Sequence, residues 1–278
     1  MHSFDYSRAA TLAEASKTVA EAEDGRFLAG GQTLIPVLKQ RLAAPSHIVD
    51  LERVPGLAGI TVEGGTITIG AMTRHAAVAA SPEIARLIPA LSELAGGIGD
   101  PHVRNRGTIG GSLANNDPAA DYPAAVLGLG ATVVTDRREI AADDYFQGLF
   151  TTALETGEII TAVRFPVPER AGYVKFPHPA SRYCLVGVMV SKSADAVRVA
   201  VTGAGQGGVF RMPDMEATLA AKFTADALSD ITVAEDDLMT DIHAGAAYRA
   251  NLIAVLARRA ASKRSEERRV GKECVRLC

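Results

Sequence analysis

Two periods alternate along the first fifty residues. Residues 11–23 place small and apolar side chains at helical spacing, and Arg26-Phe27-Leu28 reads as a short strand. After Ala29-Gly30-Gly31-Gln32-Thr33 the helical period returns, with Leu34, Ile35, Leu38 and Leu42 on one face. Pro36 falls in the first turn of that helix, where a missing N–H costs little. Ala44-Pro45 stops the helix, and His47-Ile48-Val49-Asp50-Leu51 is the next strand. Residues 1–54 are therefore expected to form a βαβ unit with a glycine turn where strand meets helix.

A second α/β unit is expected over residues 55–168. Ile60-Thr61-Val62-Glu63 and Thr66-Ile67-Thr68-Ile69 flank Gly64-Gly65, the pattern of a two-residue hairpin. Helices are expected over 74–79 and 82–95, and strands near 131–134 and 159–165. From residue 169 the character changes to short alternating runs at 173–176, 185–191, 196–204 and 208–210, followed by helical segments to about 261. This predicts an antiparallel sheet with packed helices over 169–262, separate from the α/β part. Residues 263–278 are charged and lack apolar periodicity, the composition of a disordered or non-native tail.

The whole-chain numbers narrow the function classes. With 278 residues, 47% of them hydrophobic, the chain can bury more than one core. Aromatic residues make up 5% and Trp is absent, which argues against a stacking platform for single-stranded nucleic acid. A net charge of -3 gives no reason to expect a polyanionic partner. No apolar run reaches the roughly 20 residues of a membrane span, and the N-terminus does not read as a signal peptide, so a cytoplasmic protein is expected. Three cysteines, Cys184, Cys274 and Cys278, fall short of the four thiolates of an iron–sulfur cluster. Cys184 lies in an apolar run and reads as a core residue. The six histidines show no metal-ligand spacing, so packing or surface roles are expected.

Two glycine loops carry the candidate chemistry. In Gly30-Gly31-Gln32-Thr33, glycines at a strand–helix junction let the backbone approach a ligand, and free N–H groups at the helix start favour a phosphate. Thr33 can cap the helix and donate to an oxygen. Taken alone, a Gly-Gly turn is more often only a turn. Thr108-Ile109-Gly110-Gly111-Ser112 repeats the logic ahead of Asn116-Asp117-Pro118-Ala119-Ala120-Asp121. Two such loops can grip a pyrophosphate from two sides. Neither loop has the G-x-G-x-x-G spacing, and the P-loop pattern and G-x-S-x-G are absent, so Rossmann, P-loop and nucleophile-elbow chemistry find no support at these loops. Asp117, before Pro118, is expected to cap a helix, and Asp121 to accept from ligand hydroxyls.

At these residues the sequence resembles the FAD-binding medium subunits of molybdenum hydroxylases, the xanthine dehydrogenase and carbon monoxide dehydrogenase type. The matching segments are 29–36, 98–112 and 116–121, then Lys175-Phe176-Pro177-His178-Pro179-Ala180-Ser181-Arg182-Tyr183, and later His243, Tyr248-Arg249 and Arg258-Arg259-Ala260. The resemblance covers about residues 1–262. It implies an α+β protein in which two α/β subdomains form a PCMH-type FAD-binding domain, followed by a C-terminal antiparallel sheet with helices. Ala29, Gly30, Gly31, Gln32, Thr33 and Leu34, with Thr108, Ile109, Gly110, Gly111 and Ser112, would then hold the FAD pyrophosphate. Asp121 would meet the ribityl chain, Ile98, Ile160 and Lys175 would surround the isoalloxazine, and Tyr183 would cover one flavin face. The plain alternative for the two isoleucines is core packing, and for Lys175 solvent exposure.

The resemblance also implies partners: a small [2Fe-2S] subunit that delivers electrons and a large molybdenum-cofactor subunit that oxidises substrate, in a dimer of heterotrimers. NAD or a quinone would take the electrons onward, and no catalytic acid or base is required of this chain. The competing readings are a stand-alone FAD-dependent oxidoreductase, which needs its own titratable pocket, and a scaffold subunit that has lost its flavin.

Overall fold

The computed structural model describes residues 1–263; the tail expectation beyond that point, with Cys274 and Cys278, lies outside the described residues. The fold is α+β, as expected. The first unit has three parallel strands, β1 (Asp5–Arg8), β2 (Gly25–Leu28) and β3 (His47–Asp50), in the order β1-β3-β2. Helices α1 (Leu12–Glu21) and α2 (Leu34–Lys39) make the crossovers. Thr11 starts α1 by accepting from the Glu14 amide at 3.2 Å, while the Glu14 carboxylate accepts from the Ala10 amide at 2.8 Å. Strand β1 was not anticipated, because Asp5-Tyr6-Ser7-Arg8 has no apolar alternation; pairing along β3 makes it a strand.

Helix α2 ends earlier than its apolar spacing predicted. Arg41 adopts a left-handed φ of 58°, its amide donates to Leu38 O, and the Leu42 amide donates to Val37 O. This 5→2 and 6→1 pair is a Schellman stop, formed here without glycine. Of the predicted face only Leu38 is buried, and Leu42 is 72% exposed.

The second unit contributes β4 (Ile60–Glu63), β5 (Thr66–Gly70), β6 (Thr132–Thr135), β7 (Glu139–Ala141), a small β8 (Phe146–Gly148) and β9 (Thr151–Thr152) hairpin, and β10 (Ile160–Pro166). Its main sheet runs β4-β5-β10-β6-β7 with antiparallel pairing throughout. Gly64 and Gly65 take φ of 54° and 77°, the left-handed pair that a tight hairpin turn demands. The helices are α3 (His75–Ala80), α4 (Pro82–Leu87), α5 (Pro89–Gly96), α6 (Pro101–Arg104), α7 (Ile109–Asn115), α8 (Tyr122–Gly128) and α9 (Ala142–Tyr145). The helix expected over 82–95 is two helices. Ile88, ahead of Pro89, is forced out of the α region to φ −136°, ψ 68°.

The third region is a meander of β11 (Arg170–Pro177), β12 (Cys184–Lys192), β13 (Val197–Gly205) and β14 (Gly208–Arg211), antiparallel in sequence order. Helices α10 (Pro213–Ala221) and α11 (Ala246–Ser262) follow. It is not separate from the rest: Tyr173, Met189 and Ala200 belong to the second unit's core. Helix α8 is buried along its whole length; a Cβ on Gly128 would stand 2.7 Å from Met189, and Ser191 Oγ donates to Gly128 O at 2.6 Å. Buried Arg249 of α11 donates to Leu185 O and Gly203 O and pairs with Asp241, fastening the helix to the sheet.

Candidate cofactor site

The first glycine loop leaves strand β2 and enters α2. Gly31 takes φ 73°, a left-handed conformation open to glycine. The amides of Gly30, Gly31, Gln32, Thr33 and Leu34 find no acceptor among the described residues. Five successive free donors are costly unless water or a ligand meets them, and an anion meets them best. Thr33 does not cap α2 through its side chain, contrary to expectation, because its backbone is already helical at φ −108°, ψ −53°.

The second loop is built differently. Ile109 donates to Thr73 O at 3.1 Å, Gly110 to Ala71 O at 2.8 Å and Ser112 to Thr108 O at 3.1 Å. Gly111 donates to Thr108 Oγ1 at 3.2 Å, which makes Thr108 a working N-cap for α7. Its glycines serve close approach: a Cβ on Gly110 would lie 2.6 Å from the Ala71 Cβ. The two loops touch. A Cβ on Gly30 would stand 2.1 Å from the Arg106 carbonyl oxygen, and one on Gly111 would stand 3.5 Å from the Ala29 Cβ.

Between and beyond the loops runs a cleft of about 1230 Å³, larger than the roughly 300–1,000 Å³ of ordinary small-molecule sites. Ala29, Gly30, Gly31, Gln32, Thr33, Leu34, Thr108, Gly110, Gly111 and Ser112 line it, as do Ile98, Asp121, Ile160 and Tyr183. Two expected residues stand back from the wall. Ile109 packs into the second core, and Lys175 is mostly withdrawn from solvent, its ammonium paired with Asp121, rather than exposed.

Asp121 is buried, accepting from Tyr173 Oη at 2.6 Å and from Lys175 Nζ at 3.0 Å. Lys175 also donates to Gly97 O at 3.2 Å, next to Ile98. Burial pushes the Asp121 carboxyl above the usual carboxylate range, against the pull of Lys175 and of the Tyr173 hydroxyl. Asp117 caps no helix. Its carboxylate accepts from the Ala119 amide at 2.8 Å in an Asx turn, and Pro118 and Ala120 carbonyls accept from Thr202 Oγ1 on β13. This turn fastens the cleft wall to the third sheet. Cys184 is buried beside Tyr173 as a core residue, its thiol pKa pushed up by burial.

Sequence reasoning missed two contributors. His75 lies in the cleft wall, almost fully buried and lowered to about 4 by burial and by Arg104; its amide donates to Gly107 O, under the second loop. The run of residues 155–160 is the other, of which only Ile160 was singled out. No spacing rule marks either one. Among the described residues no cluster of His, Cys, Asp and Glu can hold a metal, and no helix is long and apolar enough to cross a membrane.

Five free amides, two touching glycine loops and a long cleft fit a pyrophosphate-bridged dinucleotide. The arrangement defines a dinucleotide-cofactor protein in which two units share one cleft. The profile of the FAD binding domain in molybdopterin dehydrogenase matches residues 2–168. The chain is 38% identical over 268 residues to the nicotine 6-hydroxylase medium subunit of Paenarthrobacter nicotinovorans, covering 91% of this chain and 94% of that one. It is 46% identical over 171 residues to the carbon monoxide dehydrogenase medium chain of Afipia carboxidovorans, 60% of this chain and 59% of that one. The structure matches reconstituted CO dehydrogenase from Oligotropha carboxidovorans at a TM-score of 0.87 and 34% identity, over 95% of this chain and 98% of that one. This chain belongs to the family of FAD-binding medium subunits of molybdenum hydroxylases. Its cofactor is FAD, and it is one subunit of an oxidoreductase complex.

Proposed function

We propose that this chain relays electrons within such a complex, from the iron–sulfur clusters of a small subunit, themselves fed by a large molybdenum-cofactor subunit, to NAD or a quinone. Bound FAD supplies the redox chemistry, and the protein positions and tunes it. The free amides of residues 30–34 neutralise the pyrophosphate, with the start of α2 adding its dipole. The second loop, its own amides spent, brings Gly111 and Ser112 close to the same phosphates without steric bulk. Asp121, held by Tyr173 and Lys175, accepts from ribityl hydroxyls, while Ile98 and Ile160 wall the isoalloxazine and Tyr183, 57% exposed at the rim, covers one face. The assembly would be a cytoplasmic dimer of heterotrimers.

The observation that carries this reading is the row of five unsatisfied amides abutting the second loop across the cleft. The test is the visible spectrum of the purified chain, with released cofactor identified by chromatography and the co-purifying chains counted. Flavin bands, intact FAD and two partner subunits are expected. A colourless chain that refuses added FAD overturns the reading.

A further inference from the structure

Residues 155–160 form an unbroken stretch of cleft wall that the glycine loops do not explain. Within it the Glu158 side chain has 0% exposure, a costly place for a carboxylate unless every lone pair is met. Four donors meet it: Arg138 Nε at 3.0 Å and Arg138 Nη2 at 3.0 Å, Thr135 Oγ1 at 2.8 Å, and the Glu155 amide at 2.8 Å. The Arg138 fork, with help from the other donors, holds the carboxyl down to about 2, so it stays ionised at working pH.

The same stretch is tied to the other side of the cleft. Ser16 Oγ on α1 donates to Gly157 O at 2.6 Å, and Arg137 Nη2 reaches both Thr156 O at 3.2 Å and Ser16 Oγ at 3.3 Å. The next two side chains part company: Ile159 is buried in the first unit's core, Ile160 in the second's. The strap therefore belongs to both walls at once.

We propose that Glu158 is a positioning residue for the cofactor: gripped by Arg138, it braces residues 155–160 so that Ile160 and its neighbours present a fixed wall and the two units close on FAD together. This rests on the cleft being the FAD site. Arg138 is 43% exposed, and such a pair adds little to overall stability. The brace acts on geometry, and its loss should be read first at the flavin.

The test uses the full chain and its Glu158→Gln, Arg138→Lys and Ser16→Ala variants. Three quantities are read: the FAD dissociation constant, the visible circular dichroism of bound flavin, and hydrogen exchange at the Glu155 and Ile159 amides. Glu158→Gln should weaken FAD about tenfold or more, since hydrogen bonds to a charged group are being lost. It should also change the flavin dichroism and speed exchange in the cofactor-free chain. Arg138→Lys, which keeps the charge and loses the fork, should move the same readouts partway, and Ser16→Ala less. If Glu158→Gln does not fold, the partly exposed Arg138 position decides on the same measurements. Folded variants with wild-type affinity and unchanged flavin dichroism overturn the brace alone. A wild-type chain that takes up no FAD overturns the cofactor reading and the brace with it.

Discussion

The loops at residues 29–34 and 107–112 share a Gly-Gly pair with a hydroxyl nearby, and they spend their backbones in opposite ways. The first leaves five amides unbonded and keeps its threonine out of any cap; the second commits its amides to Thr73, Ala71 and its own cap. The cause is what lies beside each loop. The first leaves edge strand β2 just past its last pairing with β3, where Leu51 N donates to Leu28 O, and meets no further backbone acceptor. The second threads past residues 71–75, whose carbonyls take its donors. Gly-Gly beside a hydroxyl thus encodes closeness of approach in both places, and anion-binding capacity in only one.

Gly30→Ala should break this division at the contact between the two loops. Its new Cβ meets a carbonyl oxygen of the other loop, which cannot swing aside, so FAD uptake should fall by at least about 100-fold, at the upper end of the about 1–3 kcal/mol expected of overpacking. Equilibrium dialysis with FAD measures it. Gly111→Asp should abolish flavin binding as well, by a different route: its Cβ crowds Thr108 Oγ1 at 3.0 Å, and its carboxylate stands beside the pyrophosphate. Stoichiometric flavin retained in that variant would contradict the two-loop site.

A third prediction concerns pH and the second loop only. The His75 pKa falls from 6.5 free to about 4 in the fold, so the unfolded chain binds more protons between those values. Stability should decline as pH drops from about 6.5 towards 4, by roughly 3 kcal/mol in all. His75→Phe should flatten that part of a urea-midpoint profile, and an unchanged slope would remove His75 from the account. Smallest is the threonine pair. Thr108→Ala should cost about 1 kcal/mol of stability as a lost cap. Thr33→Ala should leave the melting temperature within error, its effect confined to FAD affinity.

Much of the fold was legible because sheet and helix periods are local: the Gly64-Gly65 hairpin and the four strands of the meander were all anticipated, with ends shifted by a few residues. What failed had one distant cause and two local ones. Strand β1 exists through its partner, α2 stops at a left-handed arginine, and Pro89 divides a single apolar period into two helices. At the site, glycines and Asp121 were visible as letters. That Lys175 would turn inward to Asp121 was not, since the two meet across 54 positions, and nothing in the letters around Glu158 marks it as buried.

The division of Ile159 and Ile160 between two cores also bears on how the protein is made. Ser16 and Gly157 lie 141 positions apart, and the first core lacks Ile159 until that part of the chain exists. At about 5–20 residues per second, the amino-terminal unit waits on the order of ten seconds during synthesis with an apolar gap in its side. Fragments cut before residue 159 leave that gap open, and they should aggregate where the longer chain stays monodisperse.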